Sequence, residues 1–112
     1  MSQITTHILD TTLGKPAQGV TIVLSARRGE GWQELARGVT NQDGRIANLL
    51  PTDEPLPLGI YQMRFETKEY FDRLGTAGFY PLVEIVFDVA TTAHYHVPLL
   101  LNPFGYATYR GS

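Results

Sequence analysis

The 112-residue sequence contains no cysteine, which excludes disulfide bonds and thiolate metal sites. No apolar run approaches the roughly 20 residues that a membrane-spanning helix needs, and the polar start Met1-Ser2-Gln3 lacks the features of a signal peptide. Nine Lys and Arg against eleven Asp and Glu leave a net charge of −2, which argues against nucleic acid or an anionic membrane as partner. We therefore expect a cytoplasmic protein with no nucleic-acid and no membrane partner.

Several common motifs are also missing from the sequence. It has no phosphate-binding loop, no dinucleotide-binding glycine fingerprint and no Gly-x-Ser-x-Gly nucleophile motif. It has no internal repeat, no low-complexity tract and no interdomain linker. Hydrophobic residues nevertheless make up 43% of the chain, which is enough to build a buried core at this length. We expect one globular domain over residues 1–112.

The spacing of turn residues indicates an all-β protein. Seven prolines and eleven glycines interrupt the chain at intervals of about 8–12 residues, as in β-sandwiches and barrels. Alternating apolar residues predict eight strands, at 4–10, 20–26, 32–38, 45–49, 59–66, 84–89, 94–101 and 106–110. Trp32 is expected to be a large packing group. Apolar residues at helical spacing between an N-cap at Thr67 and a C-cap at Gly75 predict one short helix.

The last two predicted strands carry apolar residues on both faces. The inward set is Val97, Leu99 and Leu101. The outward set is His96, Pro98, Leu100, Ala107 and Tyr109. A sheet that is apolar on both faces needs cover on both, and a symmetric homo-oligomer can supply it. We therefore expect the outward set to lie in a subunit interface.

Three histidines, His7, His94 and His96, are the candidates for proton transfer near neutral pH. His94 and His96 are two residues apart, so they share one face of a strand. Arg45 follows a predicted Asp-Gly turn, and its planar guanidinium suits an anionic or carbonyl-rich substrate. Together these residue types indicate a site that activates water and holds an oxygen-rich anion.

The C-terminal segment adds further polar groups. Tyr109 and Ser112 contribute hydroxyls, and residue 112 also carries the terminal carboxylate. Chain ends are usually frayed, but an aromatic, a cation and a hydroxyl in the last four residues indicate a tail that is packed into a site.

Each of these residues also has an ordinary explanation. A single histidine is most often a surface or packing residue, Arg45 a solvated turn residue, and Ser112 a disordered end. A zinc site is a second possibility, because a His-x-His pair and a third histidine leave one coordination position open. No acidic partner lies near His94 and His96 in sequence to support it. Residue spacing alone leaves open a catalytic site, a zinc hydrolase or a non-catalytic interaction module.

Longer motifs carry a family resemblance over essentially the whole chain. They are Thr6-His7-Ile8-Leu9-Asp10, Gly14-Lys15-Pro16-Ala17, Gly59-Ile60-Tyr61, Tyr70-Phe71 and Tyr95-His96-Val97-Pro98-Leu99-Leu100-Leu101-Asn102-Pro103. The chain resembles the transthyretin-like proteins in these segments. Its terminal Tyr109-Arg110-Gly111-Ser112 is similar to the tetrapeptide of one branch, the 5-hydroxyisourate hydrolases. Hormone-carrying transthyretins lack that tetrapeptide and lack histidines at positions like His7 and His96.

The resemblance implies a transthyretin-like β-sandwich of two four-stranded sheets with one short α-helix. It also implies a homotetramer, a dimer of dimers, in which one sheet faces the dimer–dimer contact. That sheet would contain residues 4–10, 45–49, 94–101 and 106–110, and the active sites would open at the contact.

The resemblance further implies hydrolysis of 5-hydroxyisourate to 2-oxo-4-hydroxy-4-carboxy-5-ureidoimidazoline in urate catabolism. The family's catalytic positions correspond to His7, Arg45, His96 and Ser112, while His7, Arg45 and Tyr109 would bind substrate. His94 would lie near the site. No cofactor and no metal are implied. A carrier of a hydrophobic ligand is the alternative within the same fold.

Overall fold

The computed structural model of the chain describes residues 2–51 and 53–112. The elements in chain order are β1 (Ile4–Asp10), β2 (Lys15–Pro16), β3 (Thr21–Arg28), β4 (Gly31–Val39), β5 (Gly59–Phe65), α1 (Thr67–Arg73), β6 (Val83–Val89), β7 (Tyr95–Asn102) and β8 (Gly105–Thr108). They form two four-stranded sheets, with the strand orders β2-β1-β7-β8 and β4-β3-β5-β6. The predicted all-β sandwich with one short helix is confirmed.

The core lies between the inner faces of the two sheets. Burial alternates along β1, where Ile4, Thr6 and Ile8 are buried and the side chains between them are half-buried on the outer face. The same alternation along the chain is what the sequence predicted, because successive side chains of a strand point to opposite faces. Within the first sheet, β1 and β7 run parallel, while β2 and β8 pair antiparallel at its two edges.

The predicted strand at 45–49 is wrong. Asn48 has a positive φ of 55°, which breaks the extended backbone, and Leu49 and Leu50 are buried from a loop. The edge position beside β1 is taken instead by β2, whose two residues pair with Leu9 and Asp10. A strand this short has no periodic pattern that the sequence could reveal.

Four smaller predictions also need correction. Trp32 lies on the edge strand β4 and is 40% exposed, so it is not a packing group. The helix N-cap is Glu66, while Thr67 is buried in the first turn, although Gly75 does follow the helix with φ +68°. The last strand ends at Thr108 rather than at 110. Pro98, predicted on the outer face, is buried.

A buried carboxylate ties α1 to the end of β1. Asp10 is 1% exposed and accepts hydrogen bonds from the backbone N–H groups of Thr12 and Leu13, both at 3.0 Å. The Tyr70 hydroxyl donates to its other oxygen at 2.7 Å. Burial, with a smaller contribution from Asp10, raises the pKa of the Tyr70 phenol well above its ordinary value.

Across the two described ranges, no helix has the length and apolar character to cross a membrane.

Candidate active site

The parallel pairing of β1 and β7 brings two of the three histidines onto one surface. Thr5 lies opposite His96, and His7 lies opposite Pro98. Thr5, His7 and His96 are all half-buried on the outer face of the first sheet. The two histidines come from opposite ends of the sequence, and the register of this strand pair makes them neighbours.

A tight turn delivers Arg45 to the same place. The backbone N–H and C=O of Asn41 bond to Arg45 and Gly44, and the Gly44 carbonyl accepts a hydrogen bond of 2.9 Å from the Ile8 N–H. Gly44 has φ +72°, and a Cβ there would lie 2.5 Å from the Ile8 carbonyl oxygen. Only glycine fits this close approach. The docked turn places the Arg45 Nη2 3.5 Å from the His7 Nδ1.

The contact with Arg45 favours one tautomer of His7. A guanidinium always donates, so the facing Nδ1 must accept, and the proton of the neutral ring lies on Nε2. Burial and then the charge of Arg45 lower the pKa of His7, while a hydrogen bond from the ring to the Asp43 backbone and the charge of Asp43 oppose them more weakly. Burial, Arg45 and the other two histidines lower the pKa of His96. Both imidazoles are therefore neutral at neutral pH and able to accept a proton.

Thr5 contacts two imidazoles at once. Its Oγ1 lies 2.8 Å from the Nδ1 of His96 and 2.8 Å from the Nε2 of His94. The two rings are 6.3 Å apart between centroids and inclined by 27°. His94 is exposed, whereas His96 is half-buried. His94, which the resemblance places near the site, thus lies beside His96 and shares Thr5 with it.

The C-terminal tail folds back over His96. The Gly111 N–H donates to the His96 carbonyl oxygen at 2.8 Å. A Cβ on Gly111 would lie 2.6 Å from the Cδ2 of that imidazole, so the backbone of the tail rests directly against the ring. The guanidinium of Arg110 lies 4.4 Å from the centre of the Tyr95 ring and anchors the tail through a cation–π contact.

The structure brings some of the predicted site residues together and leaves others exposed. His7, Arg45 and His96 converge, and Ser112 follows the glycine that touches His96 but is exposed and forms no hydrogen bond with the described residues. Tyr109 is 58% exposed. Sequence reasoning missed Thr5 and Gly111. The outward position of Thr5 beside His7 in the strand pattern was the signal that could have found the first.

A cavity of about 370 Å³ adjoins His96 from the side of the tail. It is lined mainly by β6, the start of β7 and residues 108–110, and it reaches neither His7 nor Arg45. The groups capable of acid–base chemistry therefore meet on the open outer face and not inside this cavity. Within residues 2–51 and 53–112, no three His, Asp or Glu side chains are grouped so that they could hold a metal ion.

The chain is similar in sequence and in fold to proteins of one family. The chain matches the HIUase/Transthyretin family over residues 4–111. It is 46% identical to the 5-hydroxyisourate hydrolase of Salmonella dublin over 110 residues, which cover 97% of this chain and 80% of that protein. The solved structure of Klebsiella pneumoniae 5-hydroxyisourate hydrolase aligns with a TM-score of 0.84 at 42% identity, covering 97% and 92% of the two chains.

The carrier side of the family has the same fold. Sea bream transthyretin, solved in complex with thyroxine, aligns with a TM-score of 0.91 at 36% identity, over 98% of this chain and 95% of that one. Backbone similarity therefore does not separate the hydrolases from the transthyretins, although sequence identity is higher with the hydrolases. The chain belongs to the HIUase/Transthyretin family, and its curated relatives support a hydrolytic enzyme.

Proposed function

We propose that this chain, as one hydrolase domain, converts 5-hydroxyisourate to 2-oxo-4-hydroxy-4-carboxy-5-ureidoimidazoline in urate catabolism. The observation that carries the proposal is the meeting of one guanidinium with two neutral imidazoles on a single sheet face. In the described part of the chain, Arg45 pairs with no carboxylate, so its charge remains available to the oxygens of a substrate. The names of the sequence relatives agree with this reaction.

His96 is the better general base of the two histidines. Its Nδ1 faces Thr5, and its Nε2 has no hydrogen-bond partner in the described ranges, so that nitrogen can take a proton from water. The water oxygen bonds to a ring carbonyl carbon, the carbon–nitrogen bond then breaks, and the proton held on His96 passes to the leaving nitrogen. General acid–base help of this kind is typically worth about 10²- to 10⁴-fold in rate.

His7 and Arg45 act on the substrate carbonyl. With its Nδ1 turned to Arg45, His7 has the Nε2–H as its donor, and this donor turns from the Asp43 backbone to the substrate carbonyl oxygen and orients it. Arg45 binds substrate oxygens and stabilises the negative charge that develops as water adds. Neither step requires a metal or a cofactor, and we propose that the reaction uses none.

The tail completes the site in this proposal. Tyr109 lines the substrate pocket and hydrogen-bonds the substrate, and Ser112 positions the attacking water or an imidazole through its hydroxyl or carboxylate. The support is the contact of Gly111 with His96, which holds residue 112 close to the ring.

We further propose that the enzyme is a homotetramer, a dimer of dimers, whose dimer–dimer contact covers the outer face of the first sheet. That face combines the site with Leu9, Leu100 and Ala107, which leaves it partly apolar. Cover from a second subunit would exclude bulk water and deepen an open surface into a cleft. The cytoplasmic location expected from the sequence remains a prediction.

The test is a spectroscopic assay in which urate oxidase supplies fresh 5-hydroxyisourate and its ultraviolet decay is followed. We expect His7→Ala, Arg45→Gln, His96→Gln and Ser112 deletion each to slow the enzymatic decay while the protein stays folded and keeps its oligomeric state. A chelator should leave the rate of decay unchanged, whereas it would remove the metal from a zinc hydrolase and abolish its activity.

The same assay separates the hydrolase from a carrier. A protein that only binds a hydrophobic ligand, as sea bream transthyretin binds thyroxine in its solved structure, would not accelerate the decay at all. Four folded variants with unimpaired turnover would contradict the assignment of the site.

A further inference from the structure

Thr5 links the protonation of two histidines through its hydroxyl. A hydroxyl has one proton, so between two ring nitrogens at 2.8 Å it donates to one and accepts from the other. Two arrangements are possible. Either His94 donates to Thr5 and Thr5 donates to His96, or the direction of both bonds is reversed. The tautomer of His96 is therefore tied to the protonation of His94.

We propose that Thr5 and His94 form a proton relay that connects the Nδ1 of His96 with solvent and resets this histidine between its base and acid forms. The inference deepens the proposed hydrolysis and rests on His96 as its base. It assigns Thr5 as a positioning residue and His94 as the exchange point, because neither touches the reacting atoms.

The relay balances as a sequence of proton shifts. In its base form His96 carries a proton on Nδ1 and has a free lone pair on Nε2, which accepts a proton from the attacking water. The ring, now an imidazolium, passes its Nδ1 proton to Thr5 while the Thr5 hydroxyl proton moves to the Nε2 of His94. His94 releases its Nδ1 proton to solvent. His96 is left neutral with its proton on Nε2. In the reverse sequence His94 takes a proton from solvent and Thr5 returns its own hydroxyl proton to the Nδ1 of His96. The imidazolium formed in this way donates its Nε2 proton to the leaving nitrogen and is again the base form.

The surroundings of the two rings suit their different roles, His94 as the site of proton exchange with solvent and His96 as the base. His94 is exposed and exchanges protons directly with water, whereas His96 is half-buried beneath Gly111. The charged and titratable groups that act on His96 are His94 before β7, His7 on β1 and Arg45 on the docked turn. Of these, His94 alone is joined to the His96 ring by a hydrogen-bonded bridge in the described residues.

The first test is spectroscopic and needs no substrate. Nitrogen-15 NMR of the imidazoles reports which ring nitrogen carries the proton. In the wild-type chain, we expect the His96 tautomer to change as His94 titrates. In Thr5→Val, which keeps the shape of the side chain and removes the hydroxyl, the two rings should titrate independently. Thr5→Ser should restore the coupling. A His96 tautomer that is unaffected by Thr5→Val would overturn the relay.

The second test uses turnover and buffer rescue. His94→Gln keeps a hydrogen-bonding group but cannot carry a proton through, so we expect kcat to fall roughly tenfold or more. Because His94 is exposed, added free imidazole should restore much of the lost kcat in this variant and leave the wild-type value unchanged. A His94→Gln enzyme with normal kcat, or one that imidazole does not rescue, would contradict the relay.

The two tests also distinguish this inference from the proposed function. A wild-type protein that does not hydrolyse 5-hydroxyisourate would refute the proposed function, while the nitrogen-15 data would still decide whether Thr5 couples the two histidines.

Discussion

The outer faces of the two sheets handle charge in opposite ways. On the second sheet, Arg37 forms a two-pronged pair with Glu34 at 2.8 and 2.6 Å, and Arg64 pairs with Glu66 at 2.7 Å. On the first sheet, Arg45 faces an imidazole instead of a carboxylate. Charges that are already neutralised by neighbours have little left to offer a ligand, so the unneutralised face is where a substrate anion gains most.

The effects on pKa show the same contrast. Arg37 lowers the pKa of Glu34, which favours the charged carboxylate and so secures the ion pair. Burial and Arg45 lower the pKa of His7, which disfavours the charged ring. The second sheet also has the larger surface groove, about 640 Å³ against about 370 Å³ for the cavity beside His96. Chemistry, and not volume, distinguishes the two faces.

Replacing Arg45 should reduce activity more than any other substitution on either outer face. We expect Arg45→Gln to lower kcat/KM by roughly 10²- to 10³-fold, the usual effect of removing one group that stabilises developing negative charge. Loss of the cation should also raise the pKa of His7 and His96 toward the ordinary value of about 6.5. More of each ring is then protonated at pH 6, so the acid limb of the kcat/KM profile should move to higher pH.

Arg45→Lys is the matched control, because it keeps the charge and loses the planar fork. Its acid limb should stay near that of the wild-type enzyme while its rate falls. An Arg45→Gln profile whose acid limb stays in place or moves to lower pH would contradict the electrostatic account.

The tail contact offers the next largest effect. A Cβ at position 111 would meet the His96 ring at 2.6 Å, so Gly111→Ala should displace the ring or the tail. Misplacing a catalytic group by about 1 Å can cost on the order of 10²-fold in rate. We expect kcat to fall by up to this amount while the thermal unfolding temperature changes little.

Gly105→Ala provides the control for that variant. A Cβ at Gly105 would meet only Asn102 side-chain atoms at 3.7 and 3.8 Å, which is ordinary contact. Its kcat should remain near the wild-type value. Equal losses of kcat in the two variants would show that an added methyl group in this part of the chain is harmful whether or not it meets His96. That result would contradict a specific role of the contact between Gly111 and His96.

A stability variant away from both outer faces separates folding from chemistry. Tyr70→Phe leaves one oxygen of the buried Asp10 carboxylate without its phenol donor. Hydrogen bonds to charged groups contribute about 1.5–3 kcal/mol, so the free energy of unfolding should fall by about that amount in a urea titration. The kcat of the folded enzyme should not change. A loss of turnover that exceeds the loss of folded protein would mean that α1 contributes to the site.

The smallest effect is expected on the second sheet. Arg37→Gln breaks the exposed pair with Glu34 and removes a charge from the polar groove. Because exposed ion pairs add little and this face takes no part in the reaction, we expect kcat/KM to stay within about twofold of wild type. A large loss of kcat/KM in the urate-oxidase-coupled assay would contradict the claim that only the first sheet takes part in the reaction.

Alternation of apolar residues correctly predicted the strands that have one buried face. It predicted a false strand where the buried apolar residues lie in a loop. Val20, Ile22 and Leu24 alternate and are all fully buried, as expected. The segment 45–49 contributes buried Leu49 without being a strand, because Gly44 and Asn48 both adopt positive φ.

The site followed from the sequence only in part. Spacing placed His7 and His96 on outward faces, but it could not show that residues 91 positions apart, such as Thr5 and His96, meet across a parallel strand pair. Register between distant strands is set by packing and turns, and one chain read alone does not reveal it. The roles of Thr5 and Gly111 depend on that register, which is why the sequence did not predict them.

The most direct test of the account is where a substrate-like anion binds. Urate, a stable bicyclic relative of the proposed substrate, can be titrated into the protein while the ring signals of His7 and His96 and the indole signal of the single tryptophan, Trp32, are followed by NMR. We predict saturable shifts of both imidazoles and an unchanged Trp32 signal, because Trp32 lies on β4 of the second sheet. Saturable shifts of Trp32 with unchanged histidine signals would contradict the placement of the active site.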